Sequence, residues 1–309
     1  MATPRRETIR LGPIRAAVDT PEETEWDWIR RRYELFREAG TSTEEPDLSL
    51  SIGFSDPTDE DDLVVRTGLG EVRLTLSRSL PLSCRGSLGL TPRALGRAVK
   101  RAARPAFWRD GRRELLYRHA FEHPLTAMLD GSAGYATLHA ATVSRADRAL
   151  MFLGTNGAGK TTAALQLVRA YGFDLIADNF SPCDGRHVLG FPGLPRPKPS
   201  GPSHLRMALP SPRPRRAKLE AVVFLAPGEG TKLLRPTEAS RQLNRYVTEE
   251  REDHRDTALF RHLRSLLCIS TSAMPTVIER LGELPVLRYD WRQDPLTRAL
   301  GLASLGHRP

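Results

Sequence analysis

The chain has 309 residues, of which 39% are hydrophobic and 27% charged, with a formal net charge of +9. That is enough apolar material for a packed core, and enough length for two domains or one large domain with an appendage, so a globally disordered chain is excluded. The longest apolar runs, 149–153 and 221–226, fall far short of a bilayer span.

The positive balance admits nucleic acid or an acidic substrate as partner, but no compact basic and aromatic stacking motif accompanies it, which disfavours nucleic acid. Three cysteines, Cys84, Cys183 and Cys268, stand far apart without metal-ligand spacing, as incidental thiols do in a reducing compartment. Met1-Ala-Thr-Pro-Arg-Arg-Glu carries charge but no apolar stretch after it, so no signal peptide is expected and the cytoplasm is the expected location.

In chain order, residues 6–18 alternate in the manner of an edge strand, and 23–39 hold Trp26, Trp28, Ile29, Tyr33 and Leu35 in a helical pattern. Residues 47–54 and 63–77 alternate as antiparallel strands with a turn at Gly68-Leu69-Gly70, separated by the acidic loop 56–62. A helix opens at Thr91-Pro92, where a capping hydroxyl precedes a proline in the first turn. A second helix is expected over 112–129, broken at Pro124. Residues 135–143 and 149–153 read as neighbouring strands across the polar turn 144–148. There follow a helix over 163–171, a short strand over 173–178 ending in a carboxylate, and a further strand over 186–191. Residues 192–218 are rich in Pro and Arg and contain no acid. A buried strand over 219–225, a charged helical region over 238–267, a strand over 285–289 and a short terminal helix complete the chain.

Between the strand at 149–153 and the helix that follows lies Gly154-Thr155-Asn156-Gly157-Ala158-Gly159-Lys160-Thr161-Thr162, which satisfies G-x-x-x-x-G-K-[ST] in full. Glycines at 154, 157 and 159 let backbone N–H groups converge on phosphate oxygens, and the helix adds its positive end. Lys160 is placed to reach the outer phosphates and the Thr161 hydroxyl to ligate magnesium. A triphosphate, ATP or GTP, with Mg2+ is therefore the expected ligand. Asp178, at the carboxyl end of a neighbouring strand, is suited to hold that metal or to take a hydroxyl proton.

The wording of the loop also occurs in transporter-type ATPases, but the chain lacks a Leu-Ser-Gly-Gly-Gln signature and an apolar run ending in Asp-Glu, which disfavours that class. The order of Leu138-His139-Ala140 before the loop and Leu175-Ile176-Ala177-Asp178-Asn179 after it resembles the HPr kinase/phosphorylase superfamily. The text Gly190-Phe191-Pro192-Gly193-Leu194-Pro195-Arg196 is similar to that of the HPr-kinase-like enzymes of peptide natural-product clusters. The likeness covers about residues 115–230. It implies that Lys160 and Thr161 hold triphosphate and metal, and that Asp178 lies beside the γ-phosphate as metal ligand or base. It further implies that His139 approaches the same carboxylate or phosphate, with Arg196 a candidate substrate contact. The chain departs from the pattern at Asn179, where the family has a second acid, and an amide accepts no proton at neutral pH.

Together these readings predict an α/β chain. A smaller, mostly antiparallel α+β module is expected over 1–110, and a mixed-sheet phosphate-loop kinase domain over 111–309. The expected activity is transfer of a γ-phosphate to a hydroxyl of a peptide, protein or small molecule. The alternative is a nucleotide-gated peptide-binding module without efficient transfer. Residues 192–218 read either as a substrate clamp or as a surface linker, 249–256 read as a solvated helix face, and a homo-oligomer is left open.

Overall fold

The computed structural model describes residues 5–20, 23–38, 45–52, 63–67, 70–76, 82–89, 116–132, 134–192, 213, 216–250, 262–265, 272–292, 294–295 and 301. The chain is mixed α/β and divides into two compact units. The first comprises Met1–Met128 with Thr257–Ile269, and the second Leu129–Asp256 with Ser270–Pro309.

The first unit is built on a 6-stranded sheet. Its strands are β1 (Arg5–Leu11), β2 (Ile14–Thr20), β3 (Leu48–Ile52), β4 (Leu63–Thr67), β5 (Gly70–Leu76) and β6 (Leu82–Gly89), in the order β1-β2-β3-β6-β5-β4. The expected single edge strand over 6–18 is instead a hairpin. Gly12 turns the chain with φ 57, a conformation glycine reaches without steric cost. β3 runs parallel to both β2 and β6 rather than joining an antiparallel run, whereas β4 and β5 form the expected hairpin.

Helix α1 (Glu23–Tyr33) ends in a 3-10 turn, Glu34–Phe36. Its Ile29 and Tyr33 are fully buried, as are Ile9, Ala16, Val18, Leu48 and Leu50 of the sheet. Tyr33 meets Phe121 edge-on at 5.3 Å. Phe121 lies in a π turn, Arg118–Glu122, that leads into α2 (His123–Ser132). Pro124 therefore does not break a helix as expected. It sits in the first turn of α2, and the His123 N–H bonds to the Arg118 carbonyl across the wider turn. That geometry spares the clash a proline ring makes with an ordinary helical carbonyl. The helix expected from Thr91 lies outside the described residues.

The second unit holds a 9-stranded mixed sheet. Its path is β10-β8-β9-β13-β12-β11-β7, with β15 on β13 and β14 on β15. The strands are β7 (Ala136–Leu138), β8 (Ala141–Arg145), β9 (Arg148–Leu153), β10 (Asp174–Asp178), β11 (Ser181–Cys183), β12 (His187–Leu189), β13 (Arg216–Leu225), β14 (Lys232–Leu233) and β15 (Val286–Tyr289). β9, β13 and β15 are mutually parallel, and β10 shares their direction because β8 is antiparallel to both β9 and β10. One face is covered by α3 (Lys160–Tyr171), whose Ala163, Ala164 and Leu167 pack with Val143, Phe152, Leu175 and Val223. The opposite face is covered by α4 (Pro236–Glu250) and α5 (Met274–Gly282), which bring Leu243, Tyr246, Val277 and Leu281 against Met151, Ile176, Leu219 and Phe224.

The strand expected over 135–143 is interrupted. The Ala140 N–H bonds back to the Leu138 carbonyl at 2.9 Å, a tight turn centred on His139 that ends β7 and starts β8. Opposite it, Asn179 takes a left-handed φ of 67 and separates β10 from β11. Both breaks fall within one antiparallel ladder, since Asp178↔Ala141 and Ser181↔Leu138 keep the same register on either side. Two kinked strands thus carry His139 and Asp178 to one place.

Gly185, between β11 and β12, has φ 86, and a Cβ there would lie 2.5 Å from Arg280 Cβ and 3.0 Å from the Val277 carbonyl of α5. Gly185→Ala should therefore lower stability by about 1–3 kcal/mol in excess of Gly172→Ala. Gly172 is also left-handed, but a Cβ there meets nothing within 4 Å. Urea unfolding of the two variants measures the difference.

Candidate functional site

The parallel strands β9, β10, β13 and β15 end on one side of the sheet, where ligands gather in such folds. The loop 154–159 joins the end of β9 to α3. Gly154, Gly157 and Gly159 all have positive φ, at 148, 85 and 101. Gly154 is also crowded, since a Cβ would come within 3.1 Å of both Ala158 Cβ and the Leu225 carbonyl. Only glycine allows the loop to turn this tightly against β13. Thr155, Asn156, Gly157 and Thr162 are exposed, while Gly154 and Ala158 are buried.

Lys160 is buried, and its Nζ donates to the carbonyls of Gly154 at 2.8 Å and Thr155 at 3.2 Å. The ammonium is therefore held inside the concavity of the loop. One residue on, the Thr161 hydroxyl donates to the Asp178 carboxylate, at 2.9 Å to Oδ1 and 3.2 Å to Oδ2. This bond joins the first turn of α3 to the carboxyl end of β10, across the width of β8.

Asp178 is 1% exposed. Burial pushes its carboxyl up to about 6, against hydrogen bonding from Thr161 and the influence of His139 and Lys160, which pull it down. Asn179 Nδ2 stands 3.4 Å from Asp178 Oδ2. His139 is half-buried, and its electrostatic reach to Asp178 follows from the kinked ladder. Its carbonyl accepts the Tyr246 hydroxyl at 2.8 Å, and the next carbonyl, Ala140, accepts the Ser181 hydroxyl at 3.2 Å. Thr142 in turn donates to Ser181 at 3.0 Å. These bonds hold the turn at His139 in place.

The structure thus brings Lys160, Thr161, Asp178 and His139 together around one loop. Arg196 lies outside the described residues. Among the described residues, no group of three or more His, Cys, Asp and Glu is arranged to hold a metal ion. No helix among them is long and apolar enough to cross a membrane.

Other contributors are not among the residues that sequence patterns single out. Tyr246 braces His139 from α4. Trp291, just past β15, donates its indole N–H to the Ala158 carbonyl at 3.1 Å. Asp290 is fully buried and accepts the Gly228 N–H at 2.8 Å, tying the turn after β13 to the turn after β15. No residue pattern marks Asp290 and Trp291; they reach the loop because β15 runs parallel to β13, which in turn runs parallel to β9. Compared with known proteins, the chain matches no family model, and no curated protein matches it significantly.

Because its folded-state pKa lies above the usual 3.8, Asp178 favours the folded ligand-free protein when protonated. That stability is present in full below about pH 4 and is lost as pH rises through about 6. Asp178→Asn should then stabilise the ligand-free protein at pH 8 by on the order of 1–3 kcal/mol. The gain should vanish below about pH 4. Thermal melts of both proteins across pH 4–8 give the sign directly.

Proposed function

We propose that this chain is a magnesium-dependent phosphotransferase of the HPr-kinase-like type, which binds ATP or GTP at the loop 154–162 and moves the γ-phosphate to a hydroxyl. The observation that carries the reading is the Thr161–Asp178 pair. A hydroxyl at the start of the helix and a buried carboxylate at a strand end converge within 3 Å on the ground where a phosphate-bound magnesium would sit. Magnesium is commonly held by one or two protein oxygens together with substrate phosphates, so the absence of a protein-only metal cluster among the described residues is compatible with it. When bound, the metal would neutralise charge on the phosphates.

The chain's own groups have separable tasks. Backbone N–H groups of the glycine loop and the α3 N-terminus favour a polyanion. Lys160, already inside the loop, exchanges carbonyl oxygens for phosphate oxygens over a short path. Asp178, held near 6 by burial, is poised between proton acceptor and donor close to neutral pH, as a general base requires. Thr161 fixes its orientation by hydrogen bonding, and Thr161 and His139 both favour its charged form. The acceptor hydroxyl can belong to a peptide, a protein or a small molecule.

A second reading is a nucleotide-gated binding module. Asn179 favours it: where the family has a second acid, this chain has a strained left-handed amide beside Asp178, which can donate a hydrogen bond but cannot remove a proton.

The readings separate with γ-labelled ATP and magnesium. Label appearing on an acceptor supports the kinase, whereas free phosphate alone or no reaction supports the module. Lys160→Ala should abolish transfer and weaken triphosphate binding at least tenfold. Asp178→Asn should keep binding within a few-fold and lower turnover by about 100-fold or more. Equal activity in both variants and the parent would sink the proposal.

A further inference from the structure

Trp291 is 49% exposed, yet its indole N–H is held by an ordered hydrogen bond, which leaves a large apolar ring facing solvent. Its Nε1 is committed to the Ala158 carbonyl, and it lies 3.8 Å from where a Cβ of Gly159 would stand, so the ring abuts the loop directly. The guanidinium of Arg292 sits over the ring at 5.4 Å from its centroid. The segment beneath is tightly held. Asp290 accepts N–H groups from Gly228 and from Arg292, its own N–H donates to the Thr231 hydroxyl, and the Tyr289 hydroxyl donates to the Asp294 carbonyl. A large π surface is thus fixed at the mouth of the phosphate loop, on the same side of the sheet as Asp178 but across β9 from it.

We propose that Trp291, with Arg292 beside it, forms the platform on which the base of the nucleoside triphosphate stacks. The inference rests on the loop being a triphosphate site and adds which side of it the nucleoside occupies. With Thr161 and Asp178 at the metal and the γ-phosphate, as proposed above, the reacting end of a bound triphosphate would point toward β10. The opposite end of the ligand is left to the β13–β15 side, where Trp291 stands. Stacking on an indole is favourable for any base, because every base offers a π face, and a neighbouring guanidinium adds cation–π attraction. A half-exposed indole held by its edge is already ordered, so little side-chain freedom is lost when the base arrives.

The test compares MgATP with magnesium tripolyphosphate, which has the phosphates but no base, by calorimetric titration. Trp291→Ala should weaken MgATP binding by about tenfold while leaving tripolyphosphate within twofold, and Trp291→Phe should recover most of the loss. Tryptophan emission gives an independent readout. With Trp26, Trp28 and Trp108 replaced by Phe, MgATP should quench the remaining signal and tripolyphosphate should not. An unchanged MgATP affinity in Trp291→Ala, or an equal loss for both ligands, overturns the stacking role while leaving the phosphate site intact. If the parent protein binds neither ligand, the phosphate-site reading fails and the platform fails with it.

Discussion

The hydrogen bond between the Thr161 hydroxyl and the Asp178 carboxylate is the constraint on which the candidate site depends. Thr161 is in the first turn of α3, and its position follows from a loop that can turn only through left-handed glycines. Asp178 is the last residue of β10, and its position follows from the pairing of β10 with β8. The two elements share no strand pairing, so the side-chain contact reports that both halves of the fold have arrived in register. It also explains why a carboxylate can be tolerated at full burial: hydrogen bonding and a neighbouring ammonium offset part of a desolvation cost that still dominates.

That residual cost is informative about function. A chain under selection for stability alone would gain by replacing a buried carboxylate whose ionisation is opposed by its surroundings. Its place at the carboxyl end of β10, hydrogen-bonded to the first turn of the helix after the glycine loop, is a setting in which perturbed carboxylates cluster at functional sites, and it is what the proposed function builds on. The same cannot be said of every buried polar group here. Asp290 is equally buried, but its oxygens are taken up by backbone N–H groups of two turns, which is a structural task.

Much of the second unit was legible from pattern. The loop, its helix, the strand ending at Asp178 and the buried strand at β13 all announce themselves through glycine spacing and apolar runs, because local chemistry determines them. The break at His139 was not legible, since alternation continues through Leu138-His139-Ala140 and only the hydrogen bond from Ala140 back to Leu138 reveals the turn. Pro124 misled for a related reason: a proline forbids an ordinary helical hydrogen bond, but a π turn ahead of it removes the conflict. Trp291 was invisible for a third reason. Nothing in Asp290-Trp291-Arg292 marks it as neighbour to a loop more than a hundred residues earlier, and that proximity exists only once β15 pairs beside β13.

β13 has an unusual economy. Along one edge its first residues pair with β12 and its last with β15, so a single strand serves two neighbours in succession. The sheet therefore forks there. One branch leads by way of β12 and β11 to the turn at His139, the other ends in the loop of Trp291. Side chains along either branch can diverge without re-registering the other, because each is anchored to a different stretch of the same strand. A substitution that loosens the pairing of β12 therefore leaves the β13–β15 ladder its own hydrogen bonds, and the reverse holds as well.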